Sequence, residues 1–201
     1  MSRIKYTLAV AIVASLAFAS VALAAATKVT GGTTTVTASS AAVTLLANNH
    51  ITVTPVAPAT ASGATFTFPI SGGRVNVKNF HGIVRHSGGL TLSNGTKSVT
   101  LRNLTLTSDS NGTWLWASVR GKAQTFCSRF GRHHIKRCVT IVRSYVGRIA
   151  RVTDGKVSGS QATGTLKLTT VSAGLVNRLA GKKVVKAGDV LGTGTIAPTL
   201  G

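Results

Sequence analysis

The sequence predicts an all-β fold, a sandwich of short antiparallel strands with two short helices, behind an N-terminal secretory signal. Three observations predict it. Most of the chain after residue 26 alternates apolar and small polar residues, with Thr, Val, Ile and Gly dominant, the period of half-buried strands. Asn-Gly and Gly-Gly dipeptides punctuate the runs, as turns and close backbone approaches require. Only two stretches replace the alternation with a capped helical pattern.

The elements follow in order. "MSRIKY" carries Arg3 and Lys5, "TLAVAIVASLAFASVALA" is apolar, and the run closes with small residues at Ala22 and Ala24. That is the layout of a secretory signal, cleaved after Ala24 or Ala26. The same run is long enough to span a bilayer if uncut, so membrane contact is expected through this segment alone. Residues 1–26 are therefore assigned to the signal and 27–201 to one β domain, as a length of 201 residues suggests. "SSAAVTLLANN" (39–49) begins with serines able to cap a helix, and Asn48 or Asn49 can end it. "TFTFPI" sets Phe66, Phe68 and Ile70 on one strand face. In "SVTLRNLTLT", Val99 and Leu101 share one face and Leu104 and Leu106 take the other, which predicts a β-bulge near Arg102–Asn103. "TWLWASVR" sets Leu115, Ala117 and Val119 on the core face and Trp114 and Trp116 on the other, with Ser118 and Arg120. Those tryptophans read either as a partly covered strand pair or as an aromatic platform for a ligand. "TLKLT" alternates with Leu166 and Leu168 inward. "VSAGLVNRLAG" (171–181) reads as a helix with Ser172 as N-cap, a Val171–Val176 staple, Leu175 and Leu179 toward the core, and Gly181 as stop. Residues 31–47 and 163–180 form a weak strand-helix repeat, expected at opposite ends of the domain.

Charge excludes several functions. There are 23 Lys and Arg against three acids (Asp109, Asp154 and Asp189), a formal net charge of +20. Removal of Arg3 and Lys5 with the signal leaves 21 basic residues and +18. Glycosidases need two facing carboxylates, and calcium or magnesium cages need several carboxylate oxygens; three scattered aspartates supply neither.

"GIVRHSGGLTL" (82–92) places His86 beside Ser87. Strand neighbours point to opposite faces, and no acid stands ready to orient the histidine, so this is no catalytic pair. A phosphate loop would run into a helix with Lys-Ser/Thr, whereas "LTLSNGT" reads as a strand and an Asn-Gly turn. Gly88–Gly89 then mark a bend or close approach. No nucleophile-base-acid set can be assembled, and an enzyme is not expected.

The stretch "FPISGGRVNVKNFHGIVRHSGGLTLSNGTKSVTLRNLTLTSD" resembles the central part of the HtaA-type domain, through Phe-Pro-Ile-x-Gly-Gly, His-x-Gly-Gly-Leu and a strand ending Leu-Thr-Leu. "VTPVAPATASG" and "GDVLGTGTI" extend the likeness over roughly residues 30–197. The resemblance implies a β-rich sandwich with two short helices on the outside of an actinobacterial cell, in a family whose functional members bind haem for iron uptake. It also implies a tyrosine ligand in the first helix, four residues after a serine, with a histidine in the His-x-Gly-Gly stretch supporting it. His86 stands at the histidine's place. Val43 and Thr44 stand at that spacing from Ser39 and Ser40, and the tyrosine outside the signal is Tyr145, in an unrelated strand. Haem binding would need His86 itself, or another residue, as axial ligand. The bland alternative is a strand histidine at a turn.

"FCSRFGRHHIKRCV" holds Cys127 and Cys138. In an exported chain, two cysteines at this separation between strand-like runs predict a disulfide across a hairpin, worth about 3 kcal/mol by chain entropy. A metal site from Cys127, His133, His134 and Cys138 has no common zinc spacing. Arg129, Arg132, Lys136, Arg137 and Arg143, with Arg120, Lys122, Arg148 and Arg151, concentrate charge over 120–151. Such a surface attracts polyanions without sequence readout. Sequence-specific nucleic acid is not expected. The sequence thus predicts a secreted or surface binding or structural module linked to haem through His86; the alternative is a basic adhesion or wall-associated protein that holds anionic envelope polymer through 120–151, without haem.

Overall fold

The computed structural model describes residues 26–121, 124–130, 135–141 and 144–201, the two middle stretches as backbone only. Residues 1–25 of the expected signal (1–26), Arg132 and Arg143 lie outside these residues, as do the side chains of Arg129, Lys136, Arg137, Cys127 and Cys138.

The elements are β1 (Thr27–Ala38), α1 (Ser40–Asn48), β2 (Thr52–Val56), β3 (Thr60–Ser62), β4 (Thr65–Val75), β5 (Gly82–His86), β6 (Gly89–Ser93), β7 (Ser98–Asp109), β8 (Gly112–Gly121), β9 (Gln124–Phe130), β10 (Ile135–Ile141), β11 (Ser144–Ser158), β12 (Gln161–Leu168), α2 (Thr170–Ala180) and β13 (Val190–Leu200). Eight strands run β7-β5-β4-β1-β13-β12-β11-β8, and β8 pairs back onto β7. The expected sandwich is therefore corrected to a closed antiparallel barrel. β8 is laddered on both edges, Trp114 opposing Thr107 of β7 and Arg151 of β11, so the sheet meets itself instead of stacking on a second one.

The phase change in β7 is the bulge the sequence predicts. Asn103 has φ +53°, and the β7–β8 register slips between Arg102 and Thr105. It is also where β7 changes partner. Residues before it pair with β6, and residues after it pair with β5. β6 and β2 thus leave the barrel as a flap, and β3 lies on β4. Gly88 turns β5 into β6 at φ +82°; a Cβ there would stand 2.6 Å from Ala59 N and Val56 O.

Both helices form. Ser39 caps α1 by accepting from Ala42 N–H at 3.2 Å. In α2 the cap is Thr169, not Ser172. Ser172 sits at the third helical position and returns the bond in a capping box, so Val171 and Val176 are not staple positions. Gly181 stops α2 at φ +72°, and Leu175 and Leu179 are buried. The two strand-helix units do not lie at opposite ends. β1 and β12 both flank β13, where Ala38 and Leu166 each oppose Gly192. They run in the same direction, and α1 and α2 stopper the same end of the barrel.

The inward faces are as the alternation predicts, with Phe68, Ile70, Ala117, Val119, Leu166 and Leu168 all buried. The core falls into two clusters. One lies under α2, around Leu101, Leu104, Ile149 and Leu179. The other lies toward the β4–β5 loop, around Val29, Val75, Phe80 and Val84.

β9 and β10 form a separate two-stranded sheet in which Cys127 directly opposes Cys138. No disulfide is seen among the described residues, and the expected bridge falls on side chains outside them.

Candidate functional site

His86 ends β5 with its side chain inside the barrel, 6% exposed. Inward placement follows from strand parity: Val84 and His86 point in, Ile83 and Arg85 out. Two bonds fix the ring. Nδ1 lies 3.1 Å from the carbonyl oxygen of Leu104, the residue just after the β7 bulge, and Nε2 lies 2.8 Å from Thr34 Oγ1 on β1. A carbonyl can only accept, so Nδ1 carries the proton. Nε2 then accepts from the threonine hydroxyl. The imidazole is neutral, and burial holds its pKa below the ordinary value against a smaller raising effect of the Leu104 bond. Among the described residues no buried side-chain polar atom lacks a partner.

This pair stands at a waist in the bore. On the side of the β4–β5 loop lies a compartment of about 270 Å³ bordered by Phe80, Leu106 and Ile196. On the helix side lies one of about 180 Å³ bordered by Phe68, Leu101, Leu104 and Leu175. Thr34, Val36, His86, Leu115 and Leu166 border both. In the helix-side compartment His86 and Thr34 stand in a mostly apolar lining, while the larger compartment is also bordered by His81, Asp109 and Lys156 toward its mouth. Thr34 carries no sequence motif, Leu104 opens the Leu-Thr-Leu stretch but contributes only its backbone carbonyl, and only the barrel's ladders bring the two to His86. Helix α1 presents Val43 and Thr44 on its exposed side, and neither has a donor suited to iron. Among the described residues no three His, Cys, Asp or Glu gather in metal-binding range.

Outside the barrel, Trp114 and Trp116 lie on the outer face of β8. Arg148 and Arg151 of β11 are their cross-strand partners. The Arg148 guanidinium carbon stands 4.6 Å from the Trp114 ring centroid and 4.9 Å from that of Trp116, and Arg151 is 5.4 Å from Trp114. These are cation–π distances. Trp116 Nε1 donates to Thr107 Oγ1 at 3.0 Å. The tryptophan pair is thus partly covered, as the plainer sequence reading has it. What covers it is charge. Arg148 and Arg151 were legible as basic residues; their seats over the indoles were not. The polyanion residues expected at Arg129, Arg132, Lys136, Arg137 and Arg143 lie outside the described side chains, on the segment that joins β8 to β11.

No family model matches the chain, and no curated protein matches it. Solved structures do. The C-terminal domain of HtaA from Corynebacterium glutamicum is 15% identical, with a TM-score of 0.57 over 87% of this chain and 99% of that one. The heme binding protein HtaB from the same organism is 14% identical, with a TM-score of 0.52 over 87% and 95%. The N-terminal domain of HtaA is 15% identical, with a TM-score of 0.57 over 84% and 97%. The chain has the fold of these HtaA and HtaB domains, across nearly their whole length.

Proposed function

We propose that the chain is an exported, non-enzymatic binding module on the HtaA fold, with haem as its ligand and His86 as the residue that meets the iron. Export rests on the leader-like residues 1–26. N-terminal sequencing of the mature protein checks it, and an intact Met1 would overturn it. The observation that carries the haem reading is the orientation of His86. Metal-ligating histidines typically donate the other ring N–H to a carbonyl or carboxylate, which fixes the tautomer and raises basicity. His86 already makes that bond, to Leu104, and aims the Nε2 lone pair at a single exchangeable hydroxyl. The heme binding protein HtaB shares the fold.

The donor chemistry fits haem iron at one atom, Nε2. If haem binds, His86 Nε2 would hold its iron, and the iron would supply the Lewis-acid centre that a neutral imidazole nitrogen ligates. The chain holds the imidazole neutral, keeps it from rotating, and surrounds it with apolar side chains. Compartments of about 270 and 180 Å³ fall below those of sites that enclose a drug-sized ligand, so the expected complex is weak. Hemin added to the purified protein should give a shifted Soret band that His86→Ala abolishes. Thr34→Val frees Nε2 of its present partner and should tighten binding. Circular dichroism of each variant separates lost binding from lost fold. No shift with wild type, or a shift indifferent to both substitutions in folded protein, overturns His86 as the ligand.

A further inference from the structure

A second site stands outside the barrel. On the outer faces of β7, β8 and β11 the ladders set side chains in rows. Trp114 lies between Thr107 and Arg151, and Trp116 between Thr105 and Arg148. Ser118 lies between Arg102 and Val146, and Arg120 between Thr100 and Ser144. Arg102, Arg120, Arg148 and Arg151 are exposed, and Lys167 opposes Arg151 on the next strand. From Trp114 to Arg120 the row runs about 20 Å at strand rise.

Nothing acidic answers this charge within the face. Each of the three carboxylates is engaged locally: Asp109 accepts from Asn111 N–H, Asp154 from the Thr153 hydroxyl, and Asp189 from Lys186 N–H. None is the cross-strand partner of an arginine in the row. Stacking on indole uses the flat of a guanidinium and orients it. Its donors lie at the edge, in a fork that matches carboxylate or phosphate. Arg148, seated against both indoles, is therefore a preorganised anion receptor and not a loose surface charge.

We propose that this row binds a linear acidic polysaccharide, a sugar chain with a carboxylate or phosphate on successive units. Its length suits several anions in series rather than one. Sugar hydroxyls find Thr100, Thr105 and Ser118 alongside the arginines. Single-stranded nucleic acid is the less suited polymer, because base stacking needs open aromatic faces, and here arginines cover the indoles. The proposal does not rest on His86 or on haem, which belong to the barrel's interior.

The probe is polygalacturonate, titrated at low and physiological salt with tryptophan fluorescence as readout. Wild type should bind with strong salt dependence and change its emission, since the anions engage the arginine lying on both indoles. Arg148→Gln with Arg151→Gln should lower affinity at least tenfold and remove the emission change. Lys182→Gln with Lys183→Gln takes the same charge from the exposed stretch after α2 and should leave both nearly intact. Equal loss in the two double variants reduces the effect to net charge and overturns the site. Oligo-dT binding as tightly as polygalacturonate at matched charge overturns the polymer class. So does no binding at low salt.

Discussion

The inside and the outside of the same barrel treat polar side chains in opposite ways. In the bore, the buried imidazole of His86 is kept neutral and both its nitrogens are satisfied, one by a backbone carbonyl and one by a hydroxyl. A charge there would lose its hydration without a partner. On the outer face, Arg148 and Arg151 keep their charge and their water, and use tryptophan rings as seats. A polar group in this β-barrel therefore gives up its water and takes an internal partner when it points in, and keeps its water and charge when it points out. Strand parity decides which.

Three changes probe that contrast. The largest effect belongs to the interior. His86→Ala removes a buried ring and strands both the Thr34 hydroxyl and the Leu104 carbonyl, and should cost about 2–4 kcal/mol, read from denaturant unfolding. A cost below about 1 kcal/mol would mean the waist is not part of the core. The second is a response to acid. Burial lowers the folded-state pKa of His86 from 6.5, so below that pH the unfolded chain takes up the proton first. Stability should hold above 6.5 and fall as the pH drops through the window between that value and the lower folded one. His86→Gln should flatten the window; an unchanged slope would assign the acid response elsewhere. The smallest effect belongs to the surface. Arg148→Gln removes an exposed stacked cation and should cost less than about 1 kcal/mol. A larger loss would make Arg148 a structural clamp and erase the difference between the two faces.

Much of this fold is written locally. The apolar phase change around Asn103 announces the bulge, "NG" at Asn94–Gly95 announces the β6–β7 turn, and Gly181 announces the end of α2. Local pattern does not decide closure. Alternation reads the same in a sandwich strand and a barrel strand, and what separates them is that β8 meets β11 across a separate hairpin. The Ser172 cap misleads for a related reason: Thr169 and Ser172 are both good cap residues, and the bonds that choose between them include one from the Thr169 hydroxyl to Arg148 O on another strand. His86 stands out by its neighbours in sequence. Its partners stand 52 and 18 residues away and become visible only in the ladder. The arginine seats are hidden in the same way, since Trp116 and Arg148 belong to different strands until register joins them.

Closure has one more consequence. A sheet joined to itself offers no open row of backbone donors and acceptors to another molecule. Among the described strands of the main sheet, the edges left over fall to short ones. β2 carries Pro55, which cannot donate, and β3 has three residues. Threonine- and valine-rich segments are the kind that stack into fibrils when their edges are bare. Here those of the main barrel are locked into a ring, so among its described strands no long bare edge is left to template a cross-β array.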